Sequence, residues 1–594
     1  MIEMNKGTQM MKLKLLLLLI GGSVIMALLQ YRYVFHIYFL EQLQLFLAGK
    51  EYAREVVLQP GGVIEYISEY CIQFFKFDYV GSVFTTCLLL LIGYMIHLLL
   101  IRSREYPSFI FVFECCILLF LLIDLLDMEF RYKGIIGYSF CLAALLVYNR
   151  IQNLSFLKRF SFSLFLAFLL FGVAAPFQTL FLIAASCIEL KEHGLGKGKS
   201  LLPLLIVAVY GYVVNSFLGN GAYRMYVDVS GVCSLRIIPG WTKYAAWVLL
   251  PIAILLTPLL ERMAVWMKKN GWLIVVQVGL IIGFFAYLFP RYDDNWSLPF
   301  KQLHHAVIQE EWEDVLAYCR AHPENDEVIS LNYQNLALAE KGILADSLLY
   351  FPQKGRAGLF APWDRTVYAA FAIQKICYYY GDVAFAQKFA FEGNVSSSTK
   401  GFPETMKMLV RTNLLQKEYR VAAKYINYLR QTFSYQEWAE KQLSYFSEPE
   451  QMEKDEEYTG SFEYQQTGNH FVSSNEWSFL AGSDKENKKL RDFVLCSFLL
   501  DKNLNAFLDW FGFYYDNTEM KDIPKVYYEG LMACAPFVPD VLTRYPIPEK
   551  IKEDFETYTS IYKGTNNPEE RKKWLSLYHV NSYWFYFHYK EIKL

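Results

Sequence analysis

The sequence predicts an all-α protein: a polytopic membrane helix bundle of about nine spans, followed by a soluble α-helical, repeat-like domain. Three observations predict it. From Lys12 to about Pro290 the chain is a succession of apolar runs with charge confined to short gaps. Each run is near the roughly 20 residues that a helix needs to cross lipid, where every backbone amide must bond internally. From Arg291 to Leu594 charged residues recur every few positions, and small and aromatic residues alternate at helical spacing with little strand-like alternation.

The candidate spans lie at about residues 11–30, 79–100, 107–126, 134–149, 160–174, 175–190, 201–218, 243–260 and 271–289. The first overlaps Lys12 and Lys14 and lacks a small-x-small cleavage site at Met26-Ala27-Leu28, so it reads as an uncleaved anchor. Between Phe160 and Leu190 the break at Ala174, Ala175 and Pro176 predicts two short helices in a hairpin; the alternative, a single span, flips the parity and puts the basic clusters at Lys197 and Lys268 outside. With nine spans, the basic gaps at Lys6 to Lys14, Arg102 with Arg104, Arg150 to Arg159, Lys191 to Lys199 and Arg262 to Lys269 all fall on one face. That face is cytoplasmic by the positive-inside rule, which places the C-terminal half outside. Intramembrane charge is sparse: His97, Glu114 and Asp124, the last expected to reach interfacial water at its helix end.

An outer loop over residues 31–78 separates the first two spans, long for a membrane connection. It sets Glu41, Gln42 and Gln44 at the mouth of the first helix. After Pro60, Gly61 and Gly62, the apolar residues Val63, Ile64, Ile67, Cys71, Phe74 and Phe75 recur at helical spacing, with Glu65, Ser68, Glu69 and Gln73 opposite. Such a helix is expected to lie flat on the membrane, apolar side down. The string Glu41-Gln42-x-Gln44-Leu45-Phe46, then Pro60-Gly61-Gly62, Tyr66, Gln73-Phe74 and Val80-Gly81, resembles the opening of an uncharacterised family of Bacteroidetes multi-pass membrane proteins that carries a domain of unknown function. The resemblance implies a bacterial inner-membrane location with the tail in the periplasm, and brings no catalytic residues with it.

Beyond residue 290 the expected divisions are a helical repeat-like domain over 291–446, a flexible polar insertion over 447–489 opened by Glu450, Glu453, Asp455, Glu456 and Glu457, and a C-terminal helical region over 490–594. The segments 332–342, 381–391 and 413–426 are similar to tetratricopeptide repeats, with an irregular period and an incomplete consensus. The aromatic-rich end from Tyr578 to Tyr589 is expected to fold back on the array or on the membrane surface.

Chemistry is less legible. A net charge of -2 and the lack of a dense basic stripe argue against a nucleic-acid partner. The 11 cysteines form no CxxC pair, and His304 and His305 have no companion ligand, so no metal site or cofactor is expected. No phosphate-binding loop, GxSxG or HExxH set occurs. The favoured reading is a non-catalytic cell-envelope protein whose partners are the lipid bilayer and, through a periplasmic helical array, a protein or envelope glycan. The alternative is a polyprenyl-phosphate-dependent glycosyltransferase of the membrane C-fold type. There Glu41 is the catalytic candidate, and Gln42, Gln44, Gly61, Gly62, Glu65, Glu69, Arg224 and Arg236 are the binding candidates.

Overall fold

The computed structural model describes residues 19–100, 110–127, 130–194, 203, 206, 242–267, 272–292, 297–397, 400–455, 457–458, 485–516 and 522–590. Among them every extended regular element is a helix, and a single bridge joins Lys354 and Arg356. The chain divides into two compact units. The first comprises residues 1–298 with 397–403 and 426–441; the second comprises 299–396, 404–425 and 442–594.

The first unit opens with α1 (Leu19–Arg32), whose last turn is π-helical, and α2 (Val34–Gln42), bent 72° from it. It continues through α3 (Lys50–Val57), α4 (Gly62–Ile72), α5 (Val80–Leu100), α6 (Ile110–Leu125), α7 (Lys133–Arg150), α8 (Phe156–Ala174), α9 (Phe177–His193), α10 (Thr242–Met267) and α11 (Trp272–Tyr292). Only α5 and α8 are long and apolar enough to cross a membrane by length and composition, or three if the bent α1–α2 pair counts as one span. Tyr244–Leu259 and Val275–Arg291 are shorter apolar helices. The expected nine spans are therefore not met by this measure among the described residues. Helix α6 has 16 residues, α9 has 17 and ends in a charged turn, and α7 carries Lys133 and Arg150 at its tips. The span expected at 201–218 lies outside the described residues apart from 203 and 206.

Directions alternate from helix to helix. Ala175 is extended, as a residue before proline tends to be, and this breaks the apolar run between α8 and α9. The two helices return antiparallel: Arg159 near the start of α8 grips Glu189 near the end of α9 with two bonds of 2.8 and 2.9 Å. Tyr148, at the end of α7, donates to the same carboxylate at 2.6 Å. At the opposite end, the Gly61 amide donates to the carbonyls of Phe171 and Gly172, both at 3.1 Å. Lys133 at the start of α7 meets Glu65 at 3.3 Å, and His36 Nε2 donates to the carbonyl of Leu125 at the end of α6 (2.8 Å). Near this end too, Trp247 early in α10 packs on Phe177, and Phe289 late in α11 packs on Tyr33. His193 and Thr242 thus stand at opposite ends of the bundle.

Two expectations about this end are corrected. Asp124 does not reach water but is 2 % exposed; beside it His36 of α2 donates to the Leu125 carbonyl, and Arg131 donates to the Leu43 carbonyl at 3.2 Å. Helix α4 forms where expected, yet Ser68, Glu69 and Gln73 on its polar side are buried. Tyr52 of α3 covers Glu69, and residues 433–434 cover Gln73.

The second unit is built of helix pairs. Its helices include α12 (Ser297–Ile308), α13 (Trp312–Ala321), α14 (Val328–Glu340), α15 (Leu344–Ser347), α16 (Val367–Tyr379), α17 (Val383–Val395), α18 (Pro403–Leu415), α19 (Tyr419–Arg430) and α20 (Gln436–Ser444), whose residues 426–441 belong to the first unit, α21 (Pro449–Glu453), α22 (Lys488–Leu500) and α23 (Leu504–Tyr515). Five turns share one construction. A residue in the left-handed region ends the first helix at Glu310, Gly342, Gly381, Lys417 and Lys502, with φ between 57° and 85°. The next amide then reaches back five residues, from Glu311, Ile343, Asp382, Glu418 and Asn503 to the carbonyls of Ala306, Leu338, Cys377, Asn413 and Phe498, at 2.8 to 2.9 Å. This is the Schellman cap, which satisfies the carbonyls left free at a helix end. Asp382 and Asn503 also cap the following helix through their side chains, each accepting from an amide at 3.1 Å.

Residues 449–453 of the segment expected as a flexible insertion form helix α21. Helix α21 and Tyr458 pack into the unit, Tyr458 donating to Gln442 and Glu457 pairing with Arg411. Residues 459–484 lie outside the description. The aromatic end packs on the array: Tyr583 and Tyr586 donate to the carbonyls of Leu499 and Leu500 at 3.0 and 2.8 Å, and Trp584 Nε1 to that of Glu529 at 2.9 Å.

Candidate functional site

The loop over residues 31–78 and residues 426–441 meet inside the first unit, and this is where the sequence-derived candidates converge. Helix α2 ends at Gln42, which leaves Glu41 on its last turn, only 1 % exposed. Tyr435 closes over it. The phenol donates to Glu41 Oε1 at 2.7 Å, and Gln42 Nε2 donates both to the Glu41 carboxylate and to the Tyr435 oxygen, the latter at 3.1 Å. The Lys76 ammonium lies 5.1 Å from the centre of the Tyr435 ring and donates to the Ser434 carbonyl. Burial holds the Lys76 pKa below the ordinary value, against the raising influence of Glu41 and Glu437.

The backbone completes the junction. The Ala48 amide donates to the Gln431 carbonyl at 2.7 Å, and the Phe433 amide donates to Gln73 Oε1 at 3.3 Å. Phe433 enters a box of aromatic rings, stacked on Phe46 and Phe74 and edge-on to Tyr70. Lys400 reaches Glu55 of α3 at 2.7 Å.

The other candidates divide by role. Gln44 is buried beside Glu41, and its side-chain nitrogen has no hydrogen-bond partner. Gly61 and Gly62 serve backbone packing. Gly61 has φ 76°, and a Cβ there would stand 2.6 Å from the Ala175 carbonyl oxygen; one on Gly62 would collide with the Val56 carbonyl. Glu65 and Glu69 lie one turn apart on α4, Glu65 paired with Lys133 and Glu69 bonded by Tyr52. Arg224 and Arg236 lie outside the described residues. Tyr435, Phe433 and Lys76 escape sequence reasoning because their roles depend on contacts across some 350 residues or more, for which no local pattern exists.

A second polar cluster lies in the core of the second unit. Glu404, Lys407 and Arg411 fall three and four residues apart on α18, a charged stripe at the spacing of a buried helix face. Lys375 of α16 bonds Glu404 at 2.9 Å, their side chains 2 % and 5 % exposed, and Arg411 pairs with Glu457. Burial pushes the Glu404 carboxyl up, but the charges of Lys375 and Lys407 outweigh it and hold the pKa at about 2. Burial first and the nearby Arg411 next lower the Lys407 ammonium to about 8, against the raising influence of Glu404 and Glu457. His304 is stacked between Phe300 and Phe371 and bonded to Tyr333 at 2.8 Å; burial lowers its pKa to about 3 and keeps it neutral.

Among the described residues no three His, Cys, Asp or Glu side chains are grouped to hold a metal ion. Neither cluster is therefore arranged as a metal centre, and both are closed by their own hydrogen bonds. No curated protein and no solved structure matches the chain. One family model does, over residues 9–590, and with nearly the whole length covered the chain belongs to that family, the family of unknown function DUF6057.

Proposed function

We propose that the protein is a non-catalytic cell-envelope protein whose first unit is anchored in the bacterial inner membrane, with the outer loop and the helix-pair array in the periplasm. The array binds a protein or an envelope polymer. The observation that carries the anchoring is the apolar belt of the first unit. Leu91, Val147, Phe165, Phe168, Val248, Val275 and Ile282 are exposed on helices whose opposite faces form a continuous core. In water such a surface is a liability; in lipid it is the contact face.

Two or three helices pass the length test among the described residues, and the alternation of direction along the first unit supports a chain that crosses several times. Helices α5 to α9 run down, up, down, up, down from the loop end. His193 and Thr242 stand at opposite ends, so one further return between them belongs to this proposal, and α10 and α11 bring the chain back to the loop end. An even number of crossings between residues 79 and 297 agrees with residues 426–441 lying on the outer loop. A glycosyltransferase has less support, because Glu41 is enclosed by Tyr435 and Gln42 instead of facing a lipid-accessible mouth.

Reporters that are active only in the periplasm or only in the cytoplasm, fused after Lys301 and at the C-terminus, test the topology. Periplasmic signal at both positions is expected, and cytoplasmic signal at either would end this reading. Retained biological activity in Glu41→Gln would support a non-catalytic role; its loss at normal expression would favour the transferase.

A further inference from the structure

A buried acid at the root of the outer loop has no part in the anchoring. Glu69 is 3 % exposed and its hydrogen-bond partner is the phenol of Tyr52, which is also buried. The two nearest cations are engaged elsewhere, Lys133 with Glu65 at 3.3 Å and Arg131 with the Leu43 carbonyl at 3.2 Å. Among the described residues no ion pair reaches Glu69. A carboxyl group in that position favours its neutral form, because burial penalises charge more than one phenol relieves it.

The pair adjoins the box that receives Phe433. The Tyr52 ring meets Phe46 edge-on at 6.0 Å, and Phe46 stacks on Phe433 at 6.4 Å. Phe433 belongs to the segment whose Gln431 carbonyl, Ser434 and Tyr435 are bonded to the same loop. We propose that Glu69 makes the docking of residues 426–441 on the outer loop proton-sensitive, closed while the carboxyl is neutral and loosened when it ionises.

The charged groups around Glu69 are Glu65 on its own helix, Arg131 and Lys133 at the start of α7, and Tyr52 of α3, itself influenced by Glu55. The charged side chains of α8, Lys158 and Arg159, lie at its far end. Burial first and Glu65 next raise the Glu69 pKa to about 7, against the lowering by Tyr52, Arg131 and Lys133. A carboxyl raised in the docked state stabilises docking fully below its ordinary pKa of about 4.5. That stabilisation is lost as pH rises through about 7. If undocking restores the ordinary value, docking weakens about tenfold between about pH 6 and about pH 8.5.

Hydrogen exchange on the full chain in lipid nanodiscs reads this directly. The probes are the Ala48 amide and the peptides covering 426–441, at about pH 6 and about pH 8.5 after correction for intrinsic rates. Protection in the wild type should fall about tenfold, and in Glu69→Gln it should be independent of pH. Phe433→Ala, with protection lost at both values, verifies that the probe reports docking. Equal protection of the wild type at both values overturns the proposal whatever any variant does, as does an undiminished fall in Glu69→Gln. None of these outcomes depends on the topology test above.

Discussion

Replacing Lys375 by Met removes one partner of the buried pair with Glu404 and leaves a carboxylate sealed in the array. The magnitude follows from the pair itself. Glu404 is held at about 2 against an ordinary 4.5. At about 1.4 kcal/mol per pKa unit this is worth about 3 kcal/mol of stability near neutral pH. Mutational experience with orphaned buried charges gives the same scale, about 3 to 5 kcal/mol, most of it the penalty of the unpaired group and not the net worth of the bridge. The sign with pH is fixed by the lowered value: the contribution is complete above about 4.5 and is lost as pH falls toward about 2. Urea denaturation of the full chain in detergent measures it, with exchange of the α16 amides assigning the loss to the second unit. The double variant Lys375→Met with Glu404→Leu should recover most of the loss, because neither member of the pair is then left without its partner. A loss below about 1 kcal/mol in the single variant, or a double variant no better than the single, would refute the reasoning.

Three further outcomes are expected. Gly61→Ala should destabilise the first unit by about 2 kcal/mol or more, since it combines a left-handed backbone with a contact at 2.6 Å to the Ala175 carbonyl, and a thermal melt of the full chain reads it. Tyr435→Phe and Glu41→Gln should show a coupling of about 1 to 3 kcal/mol in a double-mutant cycle, the range of a hydrogen bond to a buried charged group; additive effects would mean that the bond carries no energy. Asp492 is raised to about 6, mainly by burial and against the hydrogen bond from Tyr527, so its contribution is fully present below about 3.8 and declines as pH rises through about 6. Stability curves of the wild type and Asp492→Asn should therefore diverge across that window by about 3 kcal/mol at most.

The parts of the fold that were legible are those with local causes. The break before Pro176 separates two helices because residues before proline favour extended backbone and proline donates no amide bond. Helix α4 starts after the Pro60-Gly61-Gly62 turn. The bend at Tyr33 was not legible, since no proline or glycine marks it and a π-turn makes it. Glu41 and Glu69 read as solvated charges at the end of a span and on an amphipathic face, yet the structure buries both. Their covers come from elsewhere, Tyr435 in one case and Tyr52 on a separate helix in the other. The stripe Glu404, Lys407 and Arg411 shows the opposite limitation: its spacing was visible, but a charged stripe is ordinarily a wet face, and only Lys375 and Glu457 reveal that it points inward.

The five shared turns of the second unit bear on how such a chain tolerates substitution. Three of the five left-handed positions are occupied by Glu310, Lys417 and Lys502, so what they have in common is a pattern of main-chain bonds with little trace in residue type. Because the bonds are those of the main chain, the corner depends little on which side chain stands there. In stacked helix pairs each pair leans chiefly on its neighbours. A change inside one pair should therefore disturb the pairs beside it and little beyond them.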